Sequence, residues 1–137
     1  MKFKLSSGCE KLLKEKGVLL VYLFGSEVTG FYGVKRDVDI GVLLSSQEAP
    51  YIDIYTELYK IFSPFFKGKE LDLLLLNEAP LSLKWEIVNT GKVLFEKKKG
   101  FSLDYKEKIL KEYVDFQFHL KRFNRAVLEK IKIISQI

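Results

Sequence analysis

The chain reads as one α/β or α+β domain built around a small sheet. Three observations predict this. Strand patterns and helical patterns alternate along the chain, which places helices beside a sheet. The strand patterns are short apolar runs of β-branched, aromatic and leucine side chains, the composition of buried strands. The length, 137 residues, fits one ordinary domain with no room for a second large one.

The elements follow in order. Ser6 to Gly17 predicts a short helix with Leu12 and Leu13 on its apolar side and Gly17 as its stop. Val18 to Phe24 (VLLVYLF) predicts a buried strand that Gly25 and Ser26 end. Glu27 to Val34 reads as a short helix or turn, and Asp37 to Leu44 (DVDIGVLL) as a second strand. In Tyr51 to Phe66, Ile54, Leu58, Ile61, Phe62 and Phe65 recur at helical spacing, with Pro64 ending or bending the helix. Glu70 to Leu76 (ELDLLLL) is the third strand pattern, Leu81 to Asn89 a helix between Pro80 and Gly91, and Lys92 to Phe95 a short fourth strand. From Ser102 to the end one long helix is expected, capped by Ser102 with Asp104 in its first turn. Its apolar stripe runs from Leu103 through Tyr113 and Leu120 to Ile134, wider than one layer of contact needs. The expected division is a core over residues 1–100 and a C-terminal helix over 101–137. That helix packs on the core and on a partner subunit, with a homodimer as one form of the pairing.

Composition excludes several classes. Hydrophobic residues make up 47% of the chain, which rules against disorder. The single cysteine, Cys9, cannot form an internal disulfide, so the chain reads as cytoplasmic. The longest apolar runs are too short to span a bilayer, and no secretory signal is visible. The net charge is +5, yet residues 1–77 balance at 10 basic and 10 acidic side chains. The excess lies beyond them, and it is too small to predict direct nucleic-acid binding.

Three features carry chemistry. Gly25-Ser26 ends a buried strand just before a helix start, where backbone N–H groups cradle phosphates and glycine leaves room for them. Asp37-Val38-Asp39 places two carboxylates on one face of a strand, with Cα atoms about 6.6 Å apart. Such a pair repels unless a cation or proton lies between its members, and Mg²⁺ takes oxygen ligands of this kind. Asp72 opens a leucine run in which a buried, unpaired carboxylate would be costly. Glu70 shares its face by period two; Asp72 is preferred for its shorter side chain and its position nearer the core. His119 reads as a surface residue.

Read together, the segment GSEVTGFYGVKRDVD resembles the signature of the DNA-polymerase-beta-type nucleotidyltransferases: Gly-Ser, ten residues, then Asp-x-Asp. The short length, ELDLLLL and PLSLKWEIVNTGKVLFEK look like the minimal branch, MNT, over roughly residues 12–97. The resemblance implies a small mixed sheet flanked by helices. It implies Gly25 and Ser26 at the triphosphate, with Lys35 or Arg36 as its basic contact. It also implies Asp37 and Asp39 as metal ligands and Asp72 as the third, activating carboxylate. Two Mg²⁺ and ATP are then the expected cofactor and substrate. Members of this branch are commonly antitoxins paired with a helical HEPN ribonuclease, and some transfer AMP to a tyrosine of that toxin. The expected partner is therefore a cognate HEPN toxin. This chain departs from the common pattern in having Val28-Thr29-Gly30 where Ala-Arg-Gly is frequent, and Arg36 where Ser is frequent. A non-catalytic antitoxin that keeps the fold is the alternative. A dinucleotide-binding oxidoreductase is disfavoured because no G-x-G-x-x-G follows the first strand.

Overall fold

The structure is a computed structural model that describes residues 5–25, 37–46 and 51–136. The helix or turn expected over residues 27–34 lies outside the described residues, as do Ser26, Lys35 and Arg36.

Helix α1 spans Ser7–Glu15, and the Ser6 hydroxyl caps it by accepting from the Cys9 N–H at 3.2 Å. The buried pair on α1 is Cys9 and Leu13, one turn apart. Leu12, expected on the apolar side, is exposed, because a position adjacent to Leu13 turns about 100° away from it. Burial pushes the Cys9 thiol pKa up, with Glu10 adding to the effect, so the thiol stays protonated and inert. Strands β1 (Val18–Phe24) and β2 (Asp37–Leu44) follow with the expected bounds.

Helix α2 covers Tyr51–Phe62 and gives way to a 3-10 turn at Ser63–Phe66, so the helical pattern expected to Phe66 ends earlier. Pro64 explains this: it lacks an N–H and disfavours helical geometry at the residue before it. Strand β3 is Glu70–Leu75, and Leu76 belongs to a 3-10 turn at Leu76–Glu78. The Asn77 side chain in that turn accepts from the Leu44 N–H at 2.9 Å and donates to the Leu44 carbonyl at 2.8 Å, fastening the end of β2 as a neighbouring strand would. Helix α3 (Leu81–Thr90) and strand β4 (Lys92–Glu96) complete the core.

The sheet order is β3-β2-β1-β4, with β1 antiparallel to both neighbours and β2 parallel to β3. Mixed pairing therefore holds, as the fold class expected. On one face Val21, Leu23, Val38, Ile40, Leu71 and Leu73 pack beneath Leu13 of α1 and Leu58 and Phe62 of α2. On the other face Leu20 and Tyr22 pack beneath Ile87 and Val88 of α3 and Tyr105 and Ile109 of the final helix. Burial pushes the phenols of Tyr22 and Tyr105 up to about 12, so both stay neutral in the core.

Helix α4 runs Phe101–Ser135, 35 residues or ~52 Å of helix. Ser102 is not its cap. Gly100 holds the cap position at φ 89, a left-handed conformation that glycine adopts without steric cost. The capping group comes from β4: the Glu96 carboxylate accepts from the Gly100 N–H at 2.8 Å and the Ser102 N–H at 3.3 Å. A carboxylate there satisfies orphan donors and faces the positive end of the helix dipole. Only the first turns pack on the core; Tyr113 stacks on Trp85 of α3, and every residue from Phe118 to Gln136 is exposed. Among the described residues no helix is long and apolar enough to cross a membrane.

Two predictions follow from packing and capping. Phe62, fully buried, loses about 3–5 kcal/mol on Phe62→Ala, whereas Leu128→Ala on the exposed helix changes stability by about 0.5 kcal/mol or less; urea titration of both measures the contrast. The Ser102 hydroxyl and the Gly100 and Ser102 amides hold Glu96 below its ordinary 4.5, against an opposing push from burial. A depressed carboxylate stabilises the fold above its unfolded pKa, and that contribution is lost as pH falls through the folded value. Thermal melts should thus show wild type more stable than Glu96→Gln at neutral pH, with the gap closing below about pH 4.5.

Candidate active site

The site begins with backbone register. In parallel strands, residues opposite one another share a face and lie about 4.7–4.9 Å apart. Here Asp37 lies opposite Glu70 and Asp39 opposite Asp72. Period two puts all four carboxylates on the same face, the one that carries Leu20 and Tyr22 deeper in. The alternate positions, Val38 and Leu71, point into the opposite core layer. The sequence preferred Asp72 to Glu70; the register places Asp72 beside Asp39 and Glu70 beside Asp37.

Strand β1 brings the third component. Phe24 lies opposite Asp39 in the antiparallel pair, so Gly25 follows at the very end of β1, against the Asp39 side chain. Gly25 has φ +83, and a Cβ built on it would collide with the Asp39 carboxylate. The residue therefore needs glycine on two counts: a left-handed backbone and a close approach. This is a cradle that only a bare Cα permits, and it puts the β1 turn and the Asp39 carboxylate in contact.

Exposure increases toward this end of the sheet. Asp37 and Asp39 are half-buried, and Glu70 and Asp72 are exposed. Among the described residues, the helical layer of α3 and α4 covers this end of its face less than the rest. No buried apolar side chain replaces the carboxylates in the register. The donor set consists of hard carboxylate oxygens, the ligands Mg²⁺ takes. Among the described residues no three acidic, thiol or imidazole side chains are gathered into a ready cage. Register sets backbone positions and side-chain torsions set the rest.

Ser26, Lys35 and Arg36, the other candidates from the sequence, fall outside the described residues. His119 is exposed on α4, edge-on to Phe118, and takes no part in the cluster. Two open clefts, about 330 Å³ beside Lys14 and Lys97 and about 400 Å³ beside Asp104 and Lys108, lie where β1 begins and β2 ends, at the opposite end of the sheet from Gly25. Their size does not make them the reaction site, because neither touches an acidic residue of the cluster. Sequence reasoning did not identify the Asn77 clamp or the Glu96 cap; the first joins segments 33 residues apart, and the second, though only four to six residues long, depends on how the turn after β4 folds.

A glycine turn pressed against an acidic row on a mixed, helix-flanked sheet defines a nucleotidyltransferase. The chain belongs to the polymerase beta nucleotidyltransferase family, whose model matches residues 8–100. A search of curated protein sequences returned no match. Among solved structures, the chain is similar to one in a toxin–antitoxin crystal structure with AMP-PNP, at 25% identity and a TM-score of 0.63, covering 86% of this chain and 94% of that one. It is also similar to a chain in the complex of tri-AMPylated Shewanella oneidensis HEPN toxin with MNT antitoxin, at 27% identity, TM-score 0.60, 86% and 91% coverage. A chain of the toxin–antitoxin MntA–HepT crystal structure matches at 25% identity, TM-score 0.59, 86% and 92% coverage.

The Gly25 contact yields a prediction. Gly25→Ala forces a Cβ into the left-handed region and into Asp39, so it destabilises by about 1–2 kcal/mol or more in urea titration. Gly68→Ala, equally left-handed at φ +78 but with nothing within 4 Å of the added Cβ, serves as the control that lacks the Asp39 contact.

Proposed function

We propose that this chain is the antitoxin of a toxin–antitoxin pair and transfers AMP from ATP to a tyrosine hydroxyl of its HEPN partner in the cytoplasm. The observation that carries the reading is the register of Asp39 beside Asp72, with Gly25 closing on Asp39. The neighbours with AMP-PNP and with an AMPylated HEPN toxin support the choice of nucleotide and of a protein acceptor.

In this reading Asp37, Asp39 and Asp72 would hold Mg²⁺, which when bound neutralises phosphate charge and lowers the pKa of a coordinated hydroxyl. Gly25 admits the triphosphate to the end of β1, where a side chain would block it. Ser26 and the basic pair Lys35 and Arg36 bind phosphate oxygens. Asp72, at the exposed end of the row, faces the acceptor and takes the hydroxyl proton. The acceptor oxygen bonds to the α-phosphorus, the bond from that phosphorus to the bridging oxygen breaks, and pyrophosphate leaves. Much of the rate gain is positioning, since both reactants are held in line on one sheet end.

The alternative is an antitoxin that neutralises by contact alone. The uncollected side chains of the acidic row favour it. One experiment separates the two. The protein is incubated with α-labelled ATP, Mg²⁺ and the HEPN protein encoded beside it. Label on the HEPN tyrosine, reduced at least about 10²-fold by Asp37→Asn with Asp39→Asn, is the expected result. Absence of transfer from folded wild type, with neutralisation intact in the Asn variant, would overturn catalysis and leave the contact mechanism.

A further inference from the structure

Strand β3 lies at the edge of the sheet, paired to β2. The pairing is parallel, which is slightly less stable per residue than antiparallel pairing. Leu44 and Asn77 are 33 residues apart, the same offset that sets Asp37 opposite Glu70 and Val42 opposite Leu75. Asn77 therefore stands at a further position of the same ladder, although its backbone has already left the strand for the 3-10 turn. Its side-chain amide takes the place of that backbone. It accepts from the Leu44 N–H at 2.9 Å and donates to the Leu44 carbonyl at 2.8 Å.

The apolar pattern does not select this register by itself. A slip of one residue turns Val38, Ile40 and Val42 to the wrong face, so the core forbids it. A slip of two residues keeps every side chain on its own face. In one such slip Ile40, Val42 and Leu44 would meet Leu71, Leu73 and Leu75, and all six are buried aliphatic side chains. The same slip would move Asp39 from Asp72 to Glu70 and set Asp72 opposite Gly41. Carboxylates of one sign supply no attraction that would oppose it. It would break the Asn77 clamp, because Leu44 would then face Leu75.

We propose that Asn77 is a positioning residue for AMP transfer: its side-chain amide fixes the register that seats Asp39 beside Asp72. Side-chain period excludes the odd slips of β3, and the Asn77 clamp excludes the even ones. Asn77 does this from roughly 16 Å along β2 from Asp39, through the backbone and without touching the reactants. The register assignment stands on strand pairing alone, whereas its effect on transfer rests on the function proposed above.

The test uses the full chain, isotope-labelled, without nucleotide or HEPN protein. Cross-strand nuclear Overhauser contacts between β2 and β3 report the register directly. Wild type should show one set, with Val38 beside Leu71 and Ile40 beside Leu73. Asn77→Ala should stay folded by circular dichroism but lose that set or show a second one shifted by two residues. Asn77→Asp keeps the acceptor for the Leu44 N–H and loses the donor; it should show a smaller change, and it replaces the alanine variant if that one does not fold. Val88→Ala, in the core beneath α3, is the control for lost stability and should keep the wild-type set. In the transfer assay Asn77→Ala should lower kcat at least about 10-fold, with KM for the HEPN protein within about threefold. Val88→Ala should stay within about threefold in both. Wild-type cross-strand contacts alone in Asn77→Ala would overturn the proposal, as would an equal loss of kcat in Val88→Ala. If folded wild type transfers no label, the AMP-transfer reading fails, and the cross-strand contacts still decide whether Asn77 sets the register.

Discussion

The parallel register of β2 on β3 is the constraint on which the rest depends. Asp39 sits beside Asp72 because Val38 sits beside Leu71 and Ile40 beside Leu73. The side-chain period of a strand is two, so a slip of one residue would send the buried Val38, Ile40 and Val42 to the other face. It would also scatter the acidic row. The hydrophobic cost of that slip therefore protects the position of the carboxylates. Strands β2 and β3 each divide along their length into an acidic end and an apolar remainder that carries the packing.

The two faces of the sheet play different parts. One is sealed along its length by α1, α2 and the 3-10 turn at Phe66. The other is covered by α3 and the first turns of α4 around Tyr22, Ile87 and Ile109, then opens at the acidic end. The opening occurs where like charges are adjacent, and solvent and counter-ions lower the cost of holding them together. At that margin Gly25 turns the chain away from β1 in contact with Asp39. The fold thus packs its apolar side chains at one end of the strands and presents its acidic row at the other. The Asn77 clamp on Leu44 lies at the apolar end, where it completes backbone hydrogen bonding at the close of β2.

Helix α4 combines two environments in one element. Its start is tied to the sheet by Glu96, which reaches from β4 to the Gly100 and Ser102 amides. Its first turns belong to the core, and its last five turns meet only solvent. One helical register serves both parts, so the phase of the exposed apolar side chains on the distal half is set by the same residues that hold the proximal half on the sheet. Rigid transmission of orientation along a helix requires no loop or hinge, only continuity of the apolar phase.

Most of the elements were legible in the sequence. Val18–Phe24 and Asp37–Leu44 were bounded correctly because apolar runs and flanking glycine or charge mark strand ends locally. Where expectations missed, the deciding forces acted against a local pattern, at Pro64 through its missing N–H and at Ser102 through the Glu96 carboxylate six residues before it. Ser102 has the chemistry of a cap, but Gly100 holds the cap position, the helix starts at Phe101, and the Glu96 carboxylate accepts from the Gly100 and Ser102 amides from outside the helix. The Gly-Ser and Asp-x-Asp spacing pointed to the right family because a phosphate-binding turn and an acidic pair are encoded within a few residues. Composition and spacing by themselves determined the strands and the acidic residues, and the class of chemistry followed from the family resemblance that those residues carry. Only the tertiary structure decided which carboxylate stands next to which, that Gly25 touches Asp39, and where the long helix leaves the core. Those are properties of strand pairing and packing between segments far apart in the chain, and no local pattern of residue types contains them.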